Sequence, residues 1–181
     1  MNFFIQKLSE IGADQSNQAL EQARKIFYQS STRTHFADRD EKAQFEFRYF
    51  GVYCKNPQQV FLAFSNESVI GYLVGTEVTT PEHYQLNPYL ESFKEIITQK
   101  FPAHLHINLS PETRGKGVGS RLLESFEAAL RERNIPGVHL VTSSSARNLS
   151  FYERNHYRMK MNSETPTSTL VLMGKALNSL S

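Results

Sequence analysis

The stretch RGKGVG, residues 114–119, is the part of the sequence whose residue types and spacing point most directly to chemistry. Three glycines at alternate positions lie beside two cations, and the segment leads straight into an amphipathic pattern. Glycine lets a turn direct its N–H groups outward, and a helix start adds unpaired N–H groups and the positive end of the helix dipole. This turn is therefore predicted to bind an anion such as a diphosphate, although a tight strand-to-helix turn with no ligand has the same composition.

Two familiar phosphate-binding patterns do not fit this turn. A Walker loop requires Gly-Lys-Ser/Thr, but the sequence reads GKG at 115–117 and GKA at 174–176. A dinucleotide fingerprint G-x-G-x-x-G fails at its third glycine, where Ser120 stands. The strand that follows, VHLVTS, also ends without the acidic residue that would bind a ribose hydroxyl. A nucleotide-binding regulator is therefore the least favoured of the functions considered.

The elements that must position this turn follow from the spacing of apolar residues. The predicted strands are Phe3–Leu8, QQVFLAFS, SVIGYLVGTEVTT, PAHLHINLSP, VHLVTS, HYRMKMN and STLVLMGKAL. The predicted helices are SNQALEQARKIFYQ, EKAQFEFRYFGVYCKN, NPYLESFKEIITQK, a helix from Val118 to near Asn134, and one from Ala146 to Arg154. This order indicates an α/β fold with a mixed central sheet of about seven strands, in one domain spanning residues 1–181.

Composition limits the classes of partner. The formal charge of +2 is too small to indicate nucleic acid as a partner, and no apolar run approaches the roughly 20 residues of a membrane span. The single cysteine, Cys54, excludes an internal disulfide and is expected to be a small buried hydrophobe on a helix. We expect a cytoplasmic protein without a metal site.

The motif R-x-x-G-x-G, formed by Arg114, Gly117 and Gly119, resembles the pyrophosphate-binding motif of the GNAT superfamily of acetyl-CoA-dependent N-acetyltransferases. The segment NLSFYERNHY is similar to the family's helix that carries a tyrosine and ends at a Gly-aromatic pair. These two pieces cover residues 103–157, and the order of elements extends the likeness to nearly the whole chain. Within the superfamily, PAHLHINLSPETRGKGVG and GVHLVTS most resemble the acetyltransferase-like domain of O-GlcNAcase and its free-standing bacterial relatives. The likeness implies helices on both faces of the sheet and a splay between its fourth and fifth strands.

The resemblance implies acetyl-CoA as cosubstrate and assigns its contacts. Main-chain N–H groups of the turn would bind the pyrophosphate, and the Leu109 N–H would polarise the thioester carbonyl. The implied cofactor-binding residues are Leu109, Arg114, Gly115, Lys116, Gly117, Val118, Gly119, Ser120, Asn148 and Tyr152. The position of Asn148 departs from the family pattern, because relatives carry this asparagine at the position of Ser145, nearly one helical turn earlier.

Acetyl transfer also needs a proton donor for the thiolate and a proton acceptor for the amine. Tyr152 is the candidate acid, because a phenol stays protonated at neutral pH; its alternative role is that of a core aromatic residue. His106 is the preferred base, but His104, Glu77 and ordered water remain open. The sequence has His156-Tyr157 where relatives have Gly-aromatic, so we expect Asn155 to adopt the left-handed conformation that ends the helix.

Residues 31–40 and 80–93 are expected to form the acceptor pocket, for a small-molecule or peptidyl amine. The predicted function is therefore an N-acetyltransferase, a monomer or homodimer. A catalytically silent acyl-CoA-binding module is the alternative.

Overall fold

The computed structural model describes residues 1–31 and 33–177. Thr32, in the first predicted acceptor loop, and residues 178–181, at the end of the predicted domain, lie outside the described residues. The strands are β1 (Phe4–Lys7), β2 (Val60–Ser65), β3 (Ser68–Thr76), β4 (Ala103–Leu109), β5 (Gly137–Ser143), β6 (Met159–Glu164) and β7 (Thr169–Ala176). The helices are α1 (Ala13–Ser30), α2 (Arg39–Glu46), α3 (Val52–Cys54), α4 (Pro81–Leu86), α5 (Lys94–Lys100), α6 (Val118–Glu132) and α7 (Leu149–Arg154).

The strands form a mixed seven-stranded sheet in the order β1-β2-β3-β4-β5-β7-β6. Strands β4 and β5 are parallel, and their register pairs Ala103 with Val138 and His104 with His139. This ladder is short for two strands of seven residues each. The predicted α/β fold, with its mixed sheet and its β4 and β5 strands parting after a brief pairing, is confirmed.

The chain divides into two compact units. Unit 1 comprises Met1–Gly75 and His106–Phe126, and unit 2 comprises Thr76–Leu105 and the chain from Glu127 onward. In unit 1, helices cover both faces of β2 and β3. The Phe61 ring packs edge-on against Phe126 of α6, with ring centroids 5.7 Å apart, whereas the Tyr72 ring packs against Phe50 at 5.1 Å. Tyr72 pairs with Leu62, the neighbour of Phe61, so the two contacts lie on opposite faces.

Unit 2 has its own apolar cluster and a buried ion pair. Leu90, Phe93 and Ile97 pack around Leu172 of β7. Residues 87–100, predicted as one inserted helix, form a 3₁₀ turn over Pro88–Phe93 followed by α5, and α4 precedes them. The Glu127 carboxylate, 2% exposed, accepts a hydrogen bond of 2.6 Å from the Lys175 ammonium.

The second predicted helix forms, but a π turn over Phe47–Gly51 separates α2 from α3. A π turn inserts an extra residue into a helix and rotates the side chains that follow. The Phe50 ring stays buried, and Tyr49 remains half-buried at the surface of the unit. Cys54, at the end of α3, is partly buried, and burial raises the pKa of its thiol to about 12. That shift keeps the thiol protonated.

The end of α7 corrects one prediction. The left-handed residue is His156, at φ 70°, while Asn155 has φ −93°. The His156 N–H donates to the Glu153 carbonyl and the Tyr157 N–H donates to the Tyr152 carbonyl, each at 3.0 Å. These two bonds form a Schellman motif, in which the residue after the helix cap must be left-handed. His156 therefore occupies the left-handed position at which glycine is the usual residue.

Candidate active site

The turn before α6 has the backbone geometry that its glycines predict. Gly115 has φ 76° and Gly117 has φ 82°, both in the left-handed region that L side chains rarely adopt. A Cβ added at either position would meet no atom within 4 Å. The glycines are therefore required by backbone conformation, and they leave the outer surface of the turn open.

Five N–H groups of this turn make no hydrogen bond within residues 1–31 and 33–177. They belong to Gly115, Gly117, Val118, Gly119 and Ser120. The Lys116 N–H differs, because it donates to the Thr113 carbonyl at a long 3.4 Å. The side chains of Arg114 and Lys116 are exposed beside these amides. Free amides, exposed cations and the start of α6 together suit a diphosphate such as that of acetyl-CoA.

One hydroxyl group that the sequence analysis missed, that of Thr113, holds the base of this turn. The buried Thr113 hydroxyl lies 3.1 Å from the Ile70 carbonyl oxygen, which also accepts the Ser110 N–H at 3.0 Å. The Thr113 hydroxyl is also 2.9 Å from the Ser110 carbonyl oxygen. Ile70 lies where the β2–β3 register shifts, and such a bulge reorients the local backbone. The Ser-x-x-Thr spacing at 110–113 is the sequence signal that could have identified this anchor.

The end of β4 is positioned by a close approach to β3. A Cβ on Gly71 would lie 2.5 Å from the Leu109 Cδ2 atom, so glycine permits this contact. Because the Ser110 N–H donates toward β3, the N–H of the preceding Leu109 points toward the opposite edge of the strand. The Leu109 carbonyl accepts a hydrogen bond of 3.3 Å from the Ser30 hydroxyl at the end of α1.

His106, the predicted base, lies in an aromatic cluster of unit 1. Its Nε2 atom is 3.1 Å from the Tyr53 hydroxyl, and its ring packs edge-on against Tyr53 at 5.1 Å and Tyr49 at 5.6 Å. Burial raises the pKa of Tyr53, with a smaller contribution from Tyr49, so the phenol stays protonated and can donate to Nε2. For His106 to accept a proton at Nε2, this hydroxyl must first turn its hydrogen away.

The other candidate bases have structural partners in unit 2. His104 is buried, with its Nδ1 atom 2.8 Å from the Thr79 hydroxyl and its ring 4.7 Å from that of His83. Glu77 forms a salt bridge of 2.5 Å with Arg133. His104 and His106 are two residues apart on β4, and they have different partners, Thr79 and Tyr53 respectively.

Tyr152, the predicted acid, is 5% exposed and lies in α7 of unit 2. Burial raises the pKa of its phenol, which therefore stays protonated. The hydroxyl makes no hydrogen bond to any residue that the structure describes. Asn148 is one turn earlier, exposed, and its Oδ1 atom accepts a hydrogen bond of 3.4 Å from the Thr142 hydroxyl. The Tyr152 hydroxyl is thus protonated and has no hydrogen-bond partner among the described residues.

Comparison with known proteins identifies the fold. The Acetyltransferase (GNAT) family model matches residues 20–157, a range that includes parts of both units. The crystal structure of a protein named SsHAT is 22% identical, with a TM-score of 0.70, over 99% of this chain and all of that chain. The structure of yncA, a putative acetyltransferase from Salmonella typhimurium with its cofactor acetyl-CoA, is 14% identical, with a TM-score of 0.58. That likeness covers 97% of this chain and 94% of yncA.

A curated relative matches over a shorter segment. The uncharacterized protein YxbD of Bacillus subtilis (strain 168) is 41% identical over 54 residues, or 29% of this chain. The matched segment spans about a third of YxbD, 34% of its length. Separately, no helix within the described ranges is both long enough and apolar enough to cross a membrane.

Proposed function

Because the chain belongs to the acetyltransferase (GNAT) family and uses acetyl-CoA as its cosubstrate, we propose that it transfers the acetyl group directly to a primary amine. The acceptor would be a small molecule or a peptide. The observation that carries this proposal is the row of five N–H groups in the turn before α6 that have no hydrogen-bond partner among the described residues. An unpaired amide is costly unless water or a ligand binds it, and the diphosphate supplies several acceptor oxygens.

In the proposed reaction, the amine nitrogen attacks the thioester carbonyl carbon and the carbon–sulfur bond breaks. The Leu109 N–H would donate a hydrogen bond to the carbonyl oxygen as negative charge develops there. His106 would take a proton from the amine at Nε2, and the Tyr53 hydroxyl would then accept from the new N–H. The surrounding Tyr49 and Tyr53 rings would hold the imidazole in one orientation.

Tyr152 would give its phenolic proton to the departing thiolate. One property supports this role: the Tyr152 hydroxyl has no competing hydrogen bond among the described residues. The assignment also rests on the position of Tyr152 in the family's tyrosine-bearing helix. Asn148, the N-cap residue of α7, would bind an amide of the pantetheine arm.

A matched pair of tyrosine variants tests the proposed acid. Thiol release from acetyl-CoA is measured with a panel of primary amines for the wild type, Tyr152→Phe and Tyr157→Phe. Tyr152→Phe should keep acetyl-CoA affinity while kcat falls about a hundredfold, the scale of general acid catalysis. The Tyr157 hydroxyl donates a hydrogen bond of 3.2 Å to the Glu127 carboxylate. Tyr157→Phe should therefore lower the free energy of unfolding and leave kcat near the wild-type value. Equal kcat values for Tyr152→Phe and the wild type would contradict the proposal.

One observation favours a silent acyl-CoA-binding module as the second candidate. The proposed base already shares a hydrogen bond with Tyr53, which must reorient before a proton can be accepted. A silent module would bind acetyl-CoA and release no thiol with any amine of the panel. The cytoplasmic location, the oligomeric state, the one-domain organisation and the narrower likeness to O-GlcNAcase stay predictions.

A further inference from the structure

Asn108, near the end of β4, carries an amide whose oxygen has no hydrogen-bond partner among the residues that the structure describes. Its Nδ2 atom donates a hydrogen bond of 2.8 Å to the hydroxyl of the buried Tyr72. The Asn108 side chain is half-buried, and its Oδ1 atom is not one of the buried polar atoms left without a partner. The amide nitrogen is therefore held by β3, while the amide oxygen faces space that solvent or a ligand can reach.

The backbone around this amide is held as well. The Ser110 N–H donates to the Ile70 carbonyl at 3.0 Å, which fixes β4 against β3 just beyond Asn108. A Cβ added to Gly71 would lie 3.3 Å from the Asn108 carbonyl oxygen, so the two strands also approach closely at Asn108 itself. A side chain that is fixed at its backbone and at one end of its amide loses little freedom when a ligand binds.

Asn108 and the proposed base lie on the same face of β4. His106 is two residues earlier, and side chains two apart on a strand share a face, separated by about 6.6 Å along the strand. Contacts in unit 1 agree with this placement. The His106 ring packs against Tyr53, and the ring of Tyr72, which holds Asn108, packs against Phe50 at 5.1 Å. Phe50 and Tyr53 belong to one helical segment, so both β4 side chains lie beneath it.

We propose that the Asn108 Oδ1 atom accepts a hydrogen bond from the attacking amine and so holds the acceptor nitrogen at the reaction centre. This inference rests on the proposed function. An amine nitrogen that gives one proton to His106 keeps at least one other N–H, which can donate to an amide oxygen. The Leu109 N–H, the proposed donor to the thioester carbonyl, belongs to the next residue along β4. Neighbouring residues of one strand would thus position the two reacting groups.

Substitution by alanine tests whether Asn108 binds the amine. Thiol release is measured with acetyl-CoA and a primary amine, and kcat and KM for the amine are determined for the wild type, Asn108→Ala and Asn17→Ala. Asn108→Ala should lower kcat/KM for the amine about tenfold, the scale of one lost hydrogen bond, and leave acetyl-CoA affinity unchanged. Asn17 is an exposed residue of α1, so Asn17→Ala should match the wild type.

Substitution by aspartate separates amine binding from a structural role. Aspartate has nearly the same shape as asparagine, and the Tyr72 hydroxyl can donate to its carboxylate. A carboxylate attracts an ammonium group and raises its pKa. Asn108→Asp should therefore lower KM for the amine while kcat falls, because the bound ammonium gives up its proton less readily. Damage to the packing of β4 would not lower KM.

The outcomes separate this inference from the function on which it rests. If the wild type acetylates amines and Asn108→Ala has wild-type kcat and KM, the assignment is wrong and the proposed function stands. A KM that rises in Asn108→Asp would also overturn the assignment, because it would mean that the amide presents its NH₂ group to the site. If acetyl-CoA binds and the wild type acetylates no amine, the proposed function fails and the assignment fails with it. Asn108→Asp keeps the contact with Tyr72, so it provides the test even if Asn108→Ala does not fold.

Discussion

Replacing His156 with glycine should stabilise the protein. His156 has φ 70° and is exposed, at the point where α7 ends in its Schellman motif. Its side chain contributes little, because its nearest polar contact is an exposed 3.4 Å approach between its Nδ1 and the Arg158 guanidinium. The cost of the Cβ in this conformation is therefore not offset by contacts of the ring.

The expected size of the effect follows from two opposing terms. A residue with a Cβ pays about 1–2 kcal/mol in the left-handed region, and glycine avoids this cost. Glycine loses about 0.5–1 kcal/mol more backbone entropy on folding than other residues. The net gain should be about 0.5–1 kcal/mol, which raises the Tm by about 1–4 °C in a chain of this size.

The free energy of unfolding is measured by urea denaturation at pH 8, together with thermal melting, for the wild type, His156→Gly and His156→Ala. Alanine removes the imidazole ring but keeps the Cβ, so His156→Ala should be no more stable than the wild type. The alanine variant therefore separates loss of the ring from relief of the backbone. A glycine variant no more stable than the alanine variant would refute the reasoning from φ.

Three further predictions concern buried polar groups. Thr113→Val should lower stability by about 1–2 kcal/mol and weaken acetyl-CoA binding, since it removes the hydroxyl that contacts the Ile70 carbonyl; melting and calorimetry measure both effects. Burial lowers the pKa of His139 to about 4, below its ordinary value, so its contribution to stability is complete above pH 6.5 and is lost as pH falls toward 4. Unfolding measured across this range should show a loss of about 3 kcal/mol from this residue, and His139→Gln should flatten the profile. Cys54 should react with iodoacetamide at pH 8 far more slowly than free cysteine, because its thiol pKa is raised to about 12; an equal rate would contradict its burial.

Local features of the active site follow from the sequence where one residue type dictates one conformation. The spacing of Gly115 and Gly117 predicts a turn with outward amides, and both residues have the positive φ that such a turn requires. The hairpin of β2 and β3 is also predictable, because two β-rich runs flank a short turn at Asn66. In each case the conformational preference of a few neighbouring residues is sufficient.

Features set by tertiary contacts are not predictable in this way. Asparagine tolerates the left-handed region better than histidine, which favoured Asn155 as the end of α7. The Tyr157 N–H, however, donates to the Tyr152 carbonyl at 3.0 Å, and this bond of the Schellman motif requires His156 to be left-handed. The bulge at Ile70 likewise has no local signature, because it depends on the register between two strands.

Calorimetric titration with acetyl-CoA and with CoA tests most directly whether the open turn binds the cosubstrate. The wild type should bind both ligands, because the diphosphate is common to them. Gly117→Val should weaken binding at least about tenfold, since a β-branched residue at φ 82° is strained and the turn must change. Gly12→Val provides the control, because Gly12 also lies in open space but has φ −60°. Wild-type protein that binds neither ligand, or Gly117→Val protein that binds as tightly as the wild type, would contradict the account.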